Sequence, residues 1–161
     1  MQALLLLPDD IHFFAVGGNE PEVLEYRTIA ETMGLTRRVH LVEYTSQATV
    51  AVYQHAADWL IMYLPNAYHY TYHMSPIKIF EYMASEVPLI AADLPSVRDV
   101  LNTANACLVQ PDDPKVLAER ILWLADHPRE GDELARQARK DVEQYSWNSR
   151  ADKILAIVRT L

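Results

Sequence analysis

The sequence predicts an α/β fold, a doubly wound parallel sheet of about five strands completed by C-terminal helices, and two observations carry that prediction. Five short apolar runs lie between residues 11 and 110, and most are near-continuous rather than alternating, as strands covered on both faces are. Segments with helical punctuation separate them, and strand alternating with helix at this spacing means βαβ units.

The elements follow in chain order. The opening "MQALLLLPDD" has no basic leader and no small-residue cleavage site, and its apolar run is too short to span a membrane. It reads as the last turns of a helix. "IHFFAVGG" (11–18) is the first strand and runs out at Gly17 and Gly18. A helix over 22–33 follows Pro21 and stops at Gly34, the expected Pro-in, Gly-out asymmetry. "RVHLVEY" (38–44) is the second strand, and a helix over 47–57 follows Ser46 as its N-cap. "DWLIMYL" (58–64) gives the third strand and leads into the long loop "PNAYHYTYHM". Ser75 and Pro76 then open a helix that delivers the fourth strand, "PLIAAD" (88–93), and "ACLVQ" (106–110) is the fifth. "PKVLAERILWLADH" (114–127) places Val116, Leu117, Ile121 and Leu124 on one face, and further helices are expected over 129–144 and 149–161. No repeat, low-complexity segment or linker divides residues 1–161, so one domain is expected.

Composition narrows the function. The net charge of −8 and the lack of a Lys/Arg run argue against nucleic acid as a partner. Cys107 is the only cysteine, which excludes an intrachain disulfide. Its apolar surroundings predict a buried structural thiol, in keeping with a reducing cytoplasm.

In open α/β sheets ligands sit at the carboxyl ends of the strands, here the loops after Val16, Val42, Leu64 and Asp93. The third loop ends at the Ser75–Pro76 helix. A helix start leaves unpaired N–H groups and partial positive charge, which suit a phosphate or diphosphate. Lys78, one turn in, adds a full charge. At 100° per residue Ile77, Phe80 and Ala84 share a face, and Glu81 lies about 40° from Ile77 at its rim. A carboxylate there can accept from two vicinal hydroxyls such as those of ribose. The competing account is a surface ion pair between Lys78 and Glu81, three residues apart.

Other constellations are weaker. His69 and His73 have no evident third ligand, so no metal site is expected. Tyr68, Tyr70 and Tyr72 could stack on a sugar or simply cover the cleft. Asp9 and Asp10 precede a strand, where a phosphoreceiver needs its acids after one. No Gly-x-Ser-x-Gly elbow or Walker loop is present.

The stretch "SPIKIFEYMASEVPLIAADLPSVRDVL" resembles the signature of the retaining glycosyltransferases of family 4, of GT-B architecture. There the segment commonly reads Ser-Pro-x-Lys-x-Phe-Glu-Tyr-Met-Ala-Ser-Gly-x-Pro. "IHFFAVGG", "GLTRRVHLVEY", "VYQHAADWLIMYLP" and "YSWNSRADKILAIV" resemble the family's other blocks, in the family's order. The resemblance implies a Rossmann-like half-domain that binds a nucleoside diphosphate sugar without a metal or other cofactor. Backbone groups of Ser75, Pro76 and Ile77 would hold the diphosphate, and Glu81 the ribose. Tyr44 and Thr45 would flank the base, with Gly17 and Gly18 close to the donor.

Two positions depart from the family pattern. His73 stands where many members carry an acid that touches the donor sugar, so it is a candidate sugar contact. Glu86 stands where a glycine commonly ends the helix. In the family an N-terminal acceptor domain comes first, then a strand and helix whose arginine and lysine grip the diphosphate. The chain reads as a GT-B half without that first strand and helix.

The implied parent reaction transfers a sugar to an acceptor hydroxyl with retention, and the chain alone is expected to be inactive. The implied partners are an acceptor domain or partner chain and a second copy of this chain. The implied location is the cytoplasm, or the membrane periphery for a full enzyme. The alternative is a non-catalytic nucleotide-binding or dimerising module derived from the same fold.

Overall fold

The computed structural model describes residues 1–75 and 77–159. Among the described residues five strands form, all in parallel ladders: β1 (Phe13–Val16), β2 (Val39–Val42), β3 (Leu60–Met62), β4 (Leu89–Ala92) and β5 (Cys107–Val109). They do not make one sheet. β1 pairs with β2, with Phe13 opposite Val39, and β3, β4 and β5 make a separate three-stranded sheet in that order. In the second sheet Leu60 lies opposite Leu89 and Ile90 opposite Cys107.

Helices connect the strands. α1 (Glu20–Thr32) starts two residues before the expected 22, because a capping box at Asn19 sets its start. The Glu22 N–H donates to Asn19 Oδ1 at 3.0 Å, and the Asn19 N–H donates to Glu22 Oε2 at 2.8 Å. Gly34, at φ +70°, ends it as expected. α2 (Gln47–Ala56) is capped by Ser46, whose Oγ accepts from the Thr49 N–H at 3.2 Å. Two short helices were not foreseen, α3 (Tyr68–Tyr72) and α5 (Pro95–Arg98), on either side of α4 (Lys78–Ala84).

The C-terminal helices are α6 (Pro114–Asp126), α7 (Pro128–Asp141) and α8 (Trp147–Val158), with a 3-10 turn over Val142–Tyr145 before the last. The expected end of α8 at 161 includes residues 160 and 161, which lie outside the described residues. The chain start, expected as α-helix, is a 3-10 turn over Gln2–Leu6 that buries Leu4.

Two apolar layers hold these parts together. One gathers Leu4, Leu7, Ala30, Val39, Ile90, Val109 and Ile121, with Phe13 and Ile61 packed against it, so both sheets contribute. The other gathers Ile79, Met83, Leu89, Ala91, Val97 and Leu101. β4 gives Ile90 to the first layer and Leu89, Ala91 and Ala92 to the second, and it is buried along its whole length. That double cover is why its sequence is apolar without alternation.

Candidate functional site

The carboxyl ends of the strands carry four loops, and the structure treats them differently. After β1, Gly17 and Gly18 adopt φ +117° and +94°, a region that side chains with a Cβ rarely enter. The Gly17 N–H donates to the Val42 carbonyl at 2.9 Å and the Tyr44 N–H to the Gly18 carbonyl at 3.0 Å. Gly17, Gly18 and Tyr44 are thus brought together. Tyr44 is 85% exposed, with Thr45 half-buried next in the chain. Below the glycines a cavity of about 270 Å³ opens between Val16, Leu41, Val23 and Tyr26.

The loop after β3 is pinned from three sides. Tyr63 Oη accepts from the Asp113 N–H at 2.6 Å, and the Asn66 N–H donates to Asp112 Oδ2 at 2.9 Å. Buried Thr71 donates to the Ala67 carbonyl at 3.0 Å and lies 3.1 Å from Asn66 Oδ1, while buried Ser96 donates to the Tyr70 carbonyl. These positioning residues escaped sequence reasoning. Single Thr, Ser and Asn side chains show no periodicity, and only their partners reveal their role. Burial pushes the Tyr63 phenol up, reinforced by the Asp112 and Asp113 carboxylates against the Asp113 N–H.

His73 sits at the C-cap of α3, exposed, its N–H on the His69 carbonyl at 2.9 Å and its ring 5.0 Å from that of Tyr68. Tyr68 and Tyr72 also meet, 5.3 Å between ring centres, and both are exposed. Among the described residues no group of three or more His, Cys, Asp or Glu could hold a metal ion.

The helix that follows departs from expectation in two respects. α4 begins at Lys78 with Ile77 as its N-cap residue, so Ser75 does not cap it. A residue before proline is pushed toward extended backbone, which keeps Ser75 out of the helix. Pro76 itself lies outside the described residues. Ile79 and Met83, not Ile77, Phe80 and Ala84, are the fully buried positions, and Ile77 is 60% exposed. Ile77, Lys78, Glu81 and Ala84 are all exposed, so Glu81 occupies the middle of the outward face rather than the rim of the buried one.

Lys78 and Glu81 form no ion pair, and neither side chain has a hydrogen-bond partner among the described residues. The surface-pair account of these two residues is therefore not what the molecule shows. No hydrogen bond joins the Gly18–Tyr44 group to the Ser75–Glu81 group among the described residues.

The fourth loop is closed on itself. Arg98 grips Asp93 with two nitrogens, and that carboxylate raises the guanidinium pKa further. A larger cavity of about 510 Å³ lies away from all four loops, along β5 between Cys107, Arg120, Trp123 and Leu134.

The model of the family described as glycosyl transferases group 1 matches residues 1–127. No curated protein matches by sequence. Among solved structures, HepE of Anabaena in complex with UDP is similar at TM-score 0.81 and 20% identity, over 99% of this chain and 43% of that one. HepE in complex with UDP-glucose superposes equally well, with a TM-score of 0.81. Sucrose-phosphate synthase from Thermosynechococcus elongatus is similar at TM-score 0.78 and 21% identity, over 98% of this chain and 40% of that one. The C-terminal domain of a group 1 family glycosyl transferase from Francisella tularensis gives TM-score 0.68 at 16% identity, over 89% and 75%. The chain thus spans less than half the length of HepE and of the synthase.

Proposed function

The chain belongs to the group 1 glycosyltransferases, and from that premise we propose that it is the donor-binding half of a retaining enzyme of family 4. The carrying observation is the outward face of α4, where Lys78 and Glu81 stand exposed and unpartnered at the carboxyl ends of the strands. A lysine and a carboxylate one turn apart that ignore each other are both available to a ligand. Glu81 accepts from the two ribose hydroxyls, and Lys78 with the N–H groups around Ile77 meets the diphosphate. Ser75 precedes them on the same approach, and Pro76 remains a candidate from the sequence alone. The Gly17–Gly18 turn and Tyr44, tied by a backbone hydrogen bond, supply the base side of the site with Thr45. His73 is placed to meet the donor sugar. The UDP and UDP-glucose bound by HepE support a nucleoside diphosphate sugar as the ligand.

The reaction is transfer of the sugar to an acceptor hydroxyl with retention, the diphosphate leaving with its new charge held by Lys78 and backbone N–H groups rather than by a metal. The isolated chain is inactive in this reading, because holding both substrates together supplies about 7–11 kcal/mol of such a barrier. The exposed apolar face of α8, with Trp147, Ile154 and Val158, supports self-association. No described helix is long and apolar enough to cross a membrane, and the unpaired Cys107 supports a cytoplasmic setting.

Titration with UDP, followed by amide resonances, tests the reading. Ile77, Lys78, Gly17, Gly18 and Tyr44 should shift together, with and without EDTA. Shifts confined to the cavity beside β5, or dependent on added metal, would overturn it.

A further inference from the structure

The cavity of about 510 Å³ beside β5 takes no part in the proposed donor site. It has the size of a small-molecule site, which runs to about 300–1,000 Å³. Three elements build it. The first is the outer edge of β5. The Asp93 N–H donates to the Val109 carbonyl at 2.7 Å, so in a parallel ladder Leu108 turns its N–H and C=O away from β4, to the edge that the cavity borders. From α6 come Arg120 and Trp123, and from α7 come Glu130, Glu133 and Leu134.

The lining is ordered on one side and charged on both. Trp123 stacks on His127, 4.5 Å between ring centres and 11° between planes, and His127 Nδ1 lies 2.8 Å from the Trp123 carbonyl. The half-buried Arg120 holds its guanidinium over the Trp123 ring, 5.3 Å from the centre. Glu130 and Glu133 stand exposed on the next helix. None of these three charged groups forms an ion pair or a hydrogen bond through its side chain among the described residues. One guanidinium and two carboxylates therefore share a single cavity without neutralising one another, and their formal sum is one negative charge.

We propose that this cavity binds a free basic α-amino acid of the lysine type. Such a ligand carries one carboxylate and two ammonium groups, the mirror of the lining. Its carboxylate pairs with Arg120, whose planar fork suits two parallel hydrogen bonds. Its two ammonium groups meet Glu130 and Glu133, and its methylene stem lies on Trp123 and Leu134. The outward backbone of Leu108 offers one further donor and one acceptor. Charge excludes the obvious competitors. A nucleotide or sugar phosphate adds negative charge to a lining that is already net negative. A diamine leaves Arg120 unpaired, and a neutral amino acid leaves one glutamate unpaired. None of this depends on the nucleotide reading.

Titration of the full chain with L-lysine, followed at the Leu108 amide and the Trp123 indole, is the test. Both resonances should shift saturably, with a Kd of about 1 mM or tighter. Three analogues each remove one charge. L-norleucine lacks the side-chain ammonium, lysine amide lacks the carboxylate, and Nα-acetyl-lysine, which imitates a lysine at the end of a peptide, lacks the α-ammonium. Each should bind about tenfold or more weakly. Arg120→Gln should weaken L-lysine by a similar factor without weakening lysine amide, which has no carboxylate to lose. Glu133→Gln should weaken both. A thermal melt of each variant checks its folding, and the analogues test the wild-type chain whether or not a variant folds. UDP should leave the Leu108 and Trp123 resonances where they are. Any of four results would overturn the proposal: no saturable shift by about 10 mM L-lysine, any of the three analogues binding as tightly as L-lysine, a folded Arg120→Gln variant with unchanged affinity, or displacement of L-lysine by UDP.

Discussion

The phenol oxygen of Tyr63 accepts a 2.6 Å hydrogen bond from the backbone N–H of Asp113 and lies 3.3 Å from the Gln110 carbonyl, to which it donates. One side chain at the end of β3 thereby fixes the start of α6. Asp113 is the N-cap of that helix, its carboxylate accepting from the Lys115 and Val116 N–H groups. Its neighbour Asp112 holds the Asn66 N–H at the root of the loop that leads to His73 and Ser75. Tyr63→Phe removes the acceptor and leaves the Asp113 N–H without it. The expected loss is about 1–2 kcal/mol, or roughly 2–8 °C in a thermal melt. An unchanged melting temperature would mean that water replaces the phenol at no cost.

Glu86 offers a change in the opposite direction. It follows α4 with φ +57°, in the left-handed region that suits glycine. Glu86→Gly should stabilise the chain by up to about 1 kcal/mol, partly offset by the freer unfolded chain. Asp112 shares the conformation at φ +60° but uses its side chain to hold Asn66. Asp112→Gly should therefore destabilise. Urea midpoints of the two variants should move apart; movement in the same direction would refute the contrast.

How far the sequence reached can be read from these residues. The five strands were legible because burial on both faces leaves a continuous apolar run, as in β4. Ser46 was legible as a cap because its reach is local. The family pattern implied a missing first strand, but not that β1–β2 and β3–β5 would stand as separate sheets, which depends on geometry that no run of residues encodes. The outward face of α4 was misjudged for a related reason. Ile77 is apolar, but whether a helix turns it inward is decided by what α4 packs on, and Ile79 and Met83 fill that role. Asn66, Thr71 and Ser96 position the third loop through partners distant in sequence or specific to its fold. Gly17 and Gly18 entered the candidate site through the family pattern, whereas Glu81 entered it first through helix spacing.

Alkaline pH should expose the buried thiol. Burial raises the Cys107 pKa above its ordinary value of 9.0, with Arg120 opposing. A raised acid pKa means the folded chain holds its proton longer than the unfolded one. The thiol therefore costs nothing below pH 9, and stability falls as pH climbs from there toward the folded pKa. Tyr82, raised by burial and then by the Glu81 carboxylate, adds its own loss only above its ordinary value of 10.0. Cys107→Ala should lower the melting temperature at neutral pH through the lost packing. Between pH 9 and 10 it should flatten the decline. A slope identical to the parent chain would show that the thiol is not the titrating group.

Glu81 gives the sharpest test, because its two possible roles predict opposite results. As a ribose ligand it contributes hydrogen bonds to a charged acceptor, about 1.5–3 kcal/mol. Glu81→Gln keeps the shape and should weaken UDP about tenfold to a hundredfold. Folding should hardly notice, since the carboxylate is exposed and has no partner among the described residues. Lys78→Ala separates the two halves of the ligand. It should weaken UDP more than uridine, because the lysine reaches phosphate and not the sugar ring. Calorimetric titration of both ligands against both variants, with a thermal melt of each, decides the matter. Intact binding together with a melting temperature several degrees lower in Glu81→Gln would make the residue structural and remove the ribose contact from the proposed site.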